Sequence, residues 1–348
     1  MSGALRIAIC GTKVPFVSGG AEVLIESLRV ELVARGFEVD VITLPFAWTT
    51  REKLLKSALA WRLVDLTEVA GRRIDRVIAT RFPSYLIKHP NKVVWLVHQM
   101  RQVYDLLGTR HSDFSDAPRD RKTIEMIREM DQRTLGEARA LYAISQNTAG
   151  RLLRWNRLEA GVLYPPPKLG EAYRTGEFGD YVLSVGRLDP LKRFDLLIRA
   201  LAQTRNPVRC RIAGTGPDRE ALRALAERLG VADRVELLGF VEDAALVELY
   251  AGCLGVFYAP YDEDYGYVTI EAFKSGKPVV TAADSGGVLE FAEEGVTGLI
   301  GSSDQPQTIA ARLDRLWEQR DLAARLGAAG KARVASIGWD AVVSELVR

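Results

Sequence analysis

Short apolar runs alternate twice over with longer stretches whose apolar positions recur at helical spacing. In the first pass, residues 5–10, 37–44, 74–79, 92–97 and 141–144 read as buried strands, and 21–34, 53–69 and 120–135 as amphipathic helices between them. The second pass has strands at 181–185, 208–213, 234–238, 255–258 and 278–282, separated by helices at 193–202, 219–229, 244–250 and 269–274. Strand and helix in alternation predict parallel sheets covered on both faces by helices. Tyr164, Pro165, Pro166 and Pro167 form a stiff link between the two series. Beyond Asp304 the pattern is purely helical, with stretches at 309–317, 322–334 and 339–347. The expected organisation is an α/β chain of two Rossmann-like, doubly wound domains at 1–167 and 168–325. Helices at 326–348 follow, the last crossing back to the first domain.

Composition narrows the function. A chain of 348 residues with 47% hydrophobic content is long enough for two cores. No run resembles a signal peptide or a membrane span, so a cytoplasmic protein is expected. Cys10, Cys210 and Cys253 sit in apolar runs and read as reduced, buried thiols. His89, His98 and His111 show no ligand spacing with one another or with cysteine, so no metal is expected. The net charge of +2 gives nucleic-acid binding no support.

Ligands of open α/β sheets bind beyond the carboxyl ends of the strands, which directs attention to the strand-end loops. The richest holds Glu263 and Glu271, bracketing Tyr265, Gly266, Tyr267 and Val268, with a helix starting near Gly266 and ending at Gly276. Unpaired N–H groups in the first turn of that helix suit an anionic or hydroxyl-rich ligand, and carboxylates pair with vicinal diols. An ordinary acidic loop ahead of a helix satisfies the same pattern. Gly186, Arg187 and Lys192 follow strand 181–185, fitting either a phosphate site or a surface charge pair. Gly214, Thr215, Gly216 and Pro217 follow the next strand, and Gly239, Phe240 and Val241 the one after. Each is a candidate neighbour for a nucleobase or a plain βα turn.

In the first series, Ser18, Gly19 and Gly20 precede a helix and suit a phosphate or sugar, or a flexible turn with a capping serine. The Gly-x-Gly-x-x-Gly fingerprint is missing, as is a P-loop, so dehydrogenase and NTPase chemistry lose ground. His98 ends strand 92–97, where it either meets substrate or caps a helix. Loops 45–51 and 99–119 are expected on an acceptor side. Arg151, Arg154 and Arg157 around Trp155 form a basic stripe fitting a solvated face or an anionic membrane surface.

In order and placement, Gly19-Gly20-Ala21-Glu22, His98, Arg187 with Lys192, Gly214-Thr215-Gly216-Pro217, the Glu263 and Glu271 pair, Gly276-Lys277-Pro278 and Asp284-Ser285-Gly286-Gly287 resemble the retaining nucleotide-sugar glycosyltransferases of family 4. These are the glycosyl transferases group 1, with GT-B architecture, and the resemblance spans nearly the whole chain. It implies transfer of a glycosyl unit from a UDP- or GDP-sugar to a glycan, glycolipid or small-molecule acceptor. No cofactor or metal is implied beyond that donor, because Arg187 and Lys192 would neutralise its diphosphate. Glu271 would accept from the ribose, Glu263 would contact the donor sugar, and Tyr265, Gly266, Tyr267 and Val268 would hold sugar and diphosphate. Val241 and Gly216 would lie beside the base, Gly19 and Gly20 over the diphosphate, and His98 near the transferred sugar. Tyr265 stands where the family often has phenylalanine. Peripheral contact with the inner face of the cell membrane is a further implication. The rivals are a GT-B nucleotide-sugar epimerase or hydrolase, a phosphorylase dependent on pyridoxal phosphate, and a non-catalytic nucleotide-sugar-binding protein.

Overall fold

The computed structural model describes residues 4–16 and 19–348 and divides into two compact units, Met1–Lys168 with Gly338–Arg348, and Leu169–Ile337. Ser18, considered above as a cap, lies outside the described residues.

The first unit runs β1 (Arg6–Lys13), α1 (Gly20–Ala34), β2 (Glu38–Pro45), α2 (Arg51–Leu63), the hairpin strands β3 (Glu68–Val69) and β4 (Arg72–Arg73), β5 (Arg76–Arg81), β6 (Lys92–His98), α3 (Pro118–Leu135), β7 (Ala140–Ala143), α4 (Gln146–Asn156) and β8 (Gly161–Val162). Its main sheet has the order β2-β1-β5-β6-β7-β8, with every pairing parallel. Continuous apolar runs explain the central strands: all six interior positions of β1 are buried, which requires cover on both faces. Trp61 of α2, Tyr85 and Leu96 of β6 share one core cluster.

The second unit runs β9 (Tyr181–Val185), α5 (Phe194–Leu201), β10 (Arg209–Ala213), α6 (Arg219–Arg228), β11 (Val235–Gly239), α7 (Asp243–Gly252), β12 (Gly255–Phe257), α8 (Tyr267–Lys274), β13 (Val279–Ala282), β14 (Gly298–Gly301), α9 (Pro306–Glu318) and α10 (Arg320–Arg333). Its sheet order is β11-β10-β9-β12-β13-β14, again all parallel, which is the doubly wound order of dinucleotide-binding folds. Phe194, Phe257 and Leu313 belong to its core cluster. The chain re-enters the first unit at Gly338 with α11 (Trp339–Val347). There Tyr142 donates to Glu345 at 2.7 Å, Arg76 donates to the Leu346 carbonyl at 3.0 Å, and the Trp339 and Trp95 rings meet edge to face.

Three local expectations need correction. The helix expected over 53–69 stops at Leu63, because the Asp65 carboxylate takes the N–H and the hydroxyl of Thr67 and turns the chain. A hairpin follows, with Ala70 and Gly71 both at positive φ as a two-residue turn requires. Each main sheet gains a sixth strand: β8 is only two residues long and β14 begins and ends on glycine, so neither registers as an apolar run. The basic stripe on α4 does not form one face: Arg151 is buried near Asp105, whereas Arg154 and Arg157 are exposed.

Candidate active site

In a parallel α/β sheet the strand order reverses at one point, and the loops leaving the carboxyl ends on either side diverge there into a crevice. In the second unit that point lies between β9 and β12. The loop after β9 carries Arg187 and Lys192, and the chain after β12 carries Tyr258 and Glu263. The structure brings three of these groups together. Lys192 Nζ donates to Glu263 Oε2 at 2.6 Å and to the Tyr258 hydroxyl at 3.2 Å. Burial alone would push the Lys192 ammonium down, but the Glu263 carboxylate and then Tyr258 outweigh it, and the net shift is upward. Lys192 is therefore a fixed cation, with little more than a fifth of its side chain exposed. Arg187 differs: its guanidinium is half exposed, with Asp189 4.0 Å away.

Backbone pairing holds Glu263 where it is. Asp262 N–H donates to the Asp284 carbonyl at 2.9 Å, and Gly287 N–H donates to the Glu263 carbonyl at 2.7 Å. The 262–264 loop is thereby stapled to the turn beyond β13. Arg193, which sequence reading passed over beside Lys192, locks the same region from below. Its guanidinium donates twice to Asp284 at 2.7 Å and also to the Ala259 and Pro260 carbonyls. Adjacent cations at 192 and 193 were the only signal, and nothing local distinguishes the buried one from its neighbour.

Gly266 is the N-cap of α8, with φ of +90°, and a side chain there would press on the Tyr258 ring and Val288. Tyr267 and Val268 occupy the first two helical positions, where N–H groups lie outside the i→i−4 ladder. Tyr265 is buried edge-on between Tyr267 and Phe291. One turn further, Glu271 accepts from the Tyr250 hydroxyl at 2.6 Å and also from Tyr173. Burial pushes its carboxyl upward, against the lowering effect of both tyrosines. Those two tyrosines were missed, since only the fold brings residues 173, 250 and 271 together.

Gly216 meets the backbone of the Arg187 loop: a Cβ would stand 2.3 Å from the Leu188 carbonyl oxygen. The pairings of Leu188 N–H with the Thr215 carbonyl and Asp218 N–H with the Leu188 carbonyl fix both loops against each other. Val241 lies half-buried in the turn after β11. Lys277 has a structural place: buried, it donates to the Gly176 and Glu177 carbonyls over the Phe178 ring, and burial lowers it to about 8.

In the first unit Gly19 precedes α1 and Gly20 opens it. Gly19 N–H donates to Glu22 at 3.0 Å, and Arg81 at the end of β5 grips Glu22 and the Thr12 carbonyl. His98 ends β6, its Nδ1 2.7 Å from the Gln99 carbonyl. Loops 45–51 and 99–119 are tied together by Arg51, which pairs with Asp120 at 2.7 Å and covers the Phe114 ring. Arg51 and then Ser115 hold the Asp120 carboxyl well below the usual carboxylate range. Among the described residues no three His, Cys, Asp or Glu side chains converge as metal ligands.

Residues 172–333 match the model of the family described as glycosyl transferases group 1. The chain is 35% identical over 182 residues to a D-inositol 3-phosphate glycosyltransferase of Frankia alni, covering 49% of this chain and 44% of that one. A protein of the same description from Salinispora arenicola is 28% identical over 343 residues, covering 88% and 76%. The chain spans less than half the length of the first curated relatives it matches. Among solved structures, Anabaena HepE in complex with UDP and glucose superposes with a TM-score of 0.72 at 20% identity, over 99% of this chain and 98% of that one. Sucrose-phosphate synthase from Thermosynechococcus elongatus gives 0.83 at 19% identity, over 99% and 97%. At such identities these likenesses establish the fold, and two Rossmann-like parallel-sheet units are its GT-B form. Glycosyl transferases group 1 is thus the family that the second unit, which carries Lys192, Glu263 and Glu271, matches.

Proposed function

We propose that the protein is a retaining, metal-independent glycosyltransferase moving a glycosyl unit from a UDP- or GDP-sugar to a glycan, lipid-linked or small-molecule acceptor. The observation that carries this reading is the Lys192, Glu263 and Tyr258 cluster beside the N-terminus of α8, at the reversal point of the second sheet. Departure of a nucleoside diphosphate builds negative charge on its leaving oxygen. A cation already fixed before substrate arrives stabilises that charge without reorganising. Lys192 supplies it, Arg187 adds a half-exposed second donor, and the N–H groups of Tyr267 and Val268 add helix-terminus donors. Glu263, steered by Lys192, faces the donor sugar, with Tyr265 and Gly266 shaping the turn beneath it.

Glu271, oriented by Tyr250 and Tyr173, accepts from the ribose hydroxyls, and Gly216 and Val241 border the base. Gly19 and Gly20 cover the diphosphate, and His98 orients the sugar as it gains oxocarbenium character. The relative whose structure contains UDP and glucose supports a uridine donor, and the curated relatives named for D-inositol 3-phosphate support a small polyol phosphate among acceptors. No helix among the described residues is long and apolar enough to cross a membrane. The reading places the protein in the cytoplasm, with contact to the inner membrane face arising through a lipid-linked acceptor.

A thermal-shift screen with UDP-, GDP- and ADP-sugars tests this directly. Stabilisation by one nucleotide series, followed by glycosyl transfer only when acceptor is present, is the expected outcome. Turnover without acceptor would favour an epimerase or hydrolase, and binding without turnover a non-catalytic protein.

A further inference from the structure

The first unit holds a buried polar chain that the donor site does not use. Asp131 of α3 is fully buried, and its two oxygens accept from the hydroxyls of Tyr85 and Tyr104, each at 2.8 Å. Tyr104 has one hydroxyl proton, committed to Asp131, so its contact with Asn156 makes Tyr104 the acceptor and the Asn156 amide nitrogen the donor. The remaining Asn156 oxygen accepts from the Gln99 amide at 2.5 Å. Gln99, Tyr104 and Asn156 are buried as well. With Asp131 ionised every link thus has a forced direction, and the chain ends on the residue next to His98.

A buried carboxylate with a ladder of amides and hydroxyls adds little stability over apolar side chains of the same volume, and its best-attested use is to fix one arrangement. The element fixed here is the bend at the end of β6. Gln99, gripped through its side chain, presents its backbone carbonyl to His98 Nδ1 at 2.7 Å. A carbonyl only accepts, so Nδ1 carries a proton, and in the neutral ring Nε2 is an acceptor.

We propose that Asp131, Tyr104, Asn156 and Gln99 form a positioning relay that holds His98 as its Nδ1–H tautomer and fixes the orientation of its ring. Its functional half rests on the reading of His98 as a sugar-orienting residue, whereas its structural half does not.

The chain has three histidines, so nitrogen NMR of protein labelled at histidine resolves each ring. His89 is an internal reference of the opposite tautomer, because its Nδ1 accepts from the Asn91 N–H at 3.1 Å and its Nε2 faces the Ile74 carbonyl at 3.2 Å. The relay predicts Nδ1–H for His98 in the parent protein. Asn156→Leu and Gln99→Met cut different links, so a folding failure in one leaves the other. Either folded variant shifts His98 toward the Nε2–H form and leaves His89 unchanged. An Nε2–H signal for His98 in the parent, or an unaltered Nδ1–H signal in a folded variant, overturns the relay.

Turnover of UDP-glucose or GDP-mannose, whichever the protein accepts, tests the functional half. Gln99→Met is expected to lower kcat about tenfold with little change in donor KM, and to have almost no effect in a His98→Ala background. Multiplicative losses in the double variant defeat the relay's role in catalysis. An unchanged kcat in His98→Ala instead removes the role of His98, with the NMR result standing apart from it.

Discussion

Asp131→Asn isolates the energetic cost of the buried carboxylate. Burial raises the Asp131 carboxyl from 3.8 to about 7, while Tyr85 and Tyr104 pull it down by less. A carboxyl whose folded value lies above its unfolded one contributes stability that is complete below the unfolded value. That contribution is lost as pH rises through the folded value. That rise of the carboxyl corresponds to about 4 kcal/mol, of which about 3 kcal/mol disappears between pH 5 and pH 8.5. Asparagine keeps the shape, and the tyrosine hydroxyls can reverse to accept from its amide. Lys92 and Lys277, both lowered by burial to about 8, and His89, lowered by burial, also titrate with folding, so the parent and variant must be compared at each pH. Urea unfolding followed by tryptophan fluorescence suits this, since Trp61 and Trp95 are buried in the first unit. The variant should gain on the parent by about 3 kcal/mol between pH 5 and 8.5. Parallel pH profiles would instead mean that Asp131 titrates alike in the folded and unfolded chain, against this expectation.

Lys192→Ala should lower turnover about a hundredfold at saturating donor, as expected for losing one preorganised donor to a leaving group. It should also cost about 2–3 kcal/mol of stability, because Glu263 and Tyr258 lose their shared partner, so turnover is to be measured well below the unfolding transition. An unchanged turnover number removes Lys192 from the mechanism. In Glu271→Ala, nucleotide affinity by calorimetry should fall by about 1.5–3 kcal/mol, and Tyr250→Phe should show a smaller loss in the same direction. Equal affinities across the three proteins would contradict the ribose assignment. Gly216→Ala must move the Leu188 carbonyl and the Arg187 loop with it, costing about 1–3 kcal/mol and weakening nucleotide binding. Parental stability and affinity would show that the two loops part more easily than their pairing suggests.

The sheets were readable because parallel strands buried on both faces leave continuous apolar runs, as in β1 and β6. The α8 segment was readable because Gly266 marks a helix start between two carboxylates. What stayed hidden depends on pairing across long sequence distances. Glu263 reads as a free carboxylate until the fold sets it against Lys192, 71 positions away. Arg193 looks like a surface cation until the turn beyond β13 presents Asp284 to it. Tyr85, Tyr104 and Asp131 carry no periodic signal, and only the packing of α3 joins them. The 68–73 hairpin has exposed strands and so lacks the apolar alternation that marks a strand against a core.

Transfer from a nucleotide sugar with the anomeric configuration kept is read out by proton NMR of the reaction with an α-linked UDP- or GDP-sugar. An α-linked first product is expected, formed without added divalent metal and lost in Lys192→Ala. A β-linked first product, or a folded protein that neither binds nor consumes any nucleotide sugar, would contradict it.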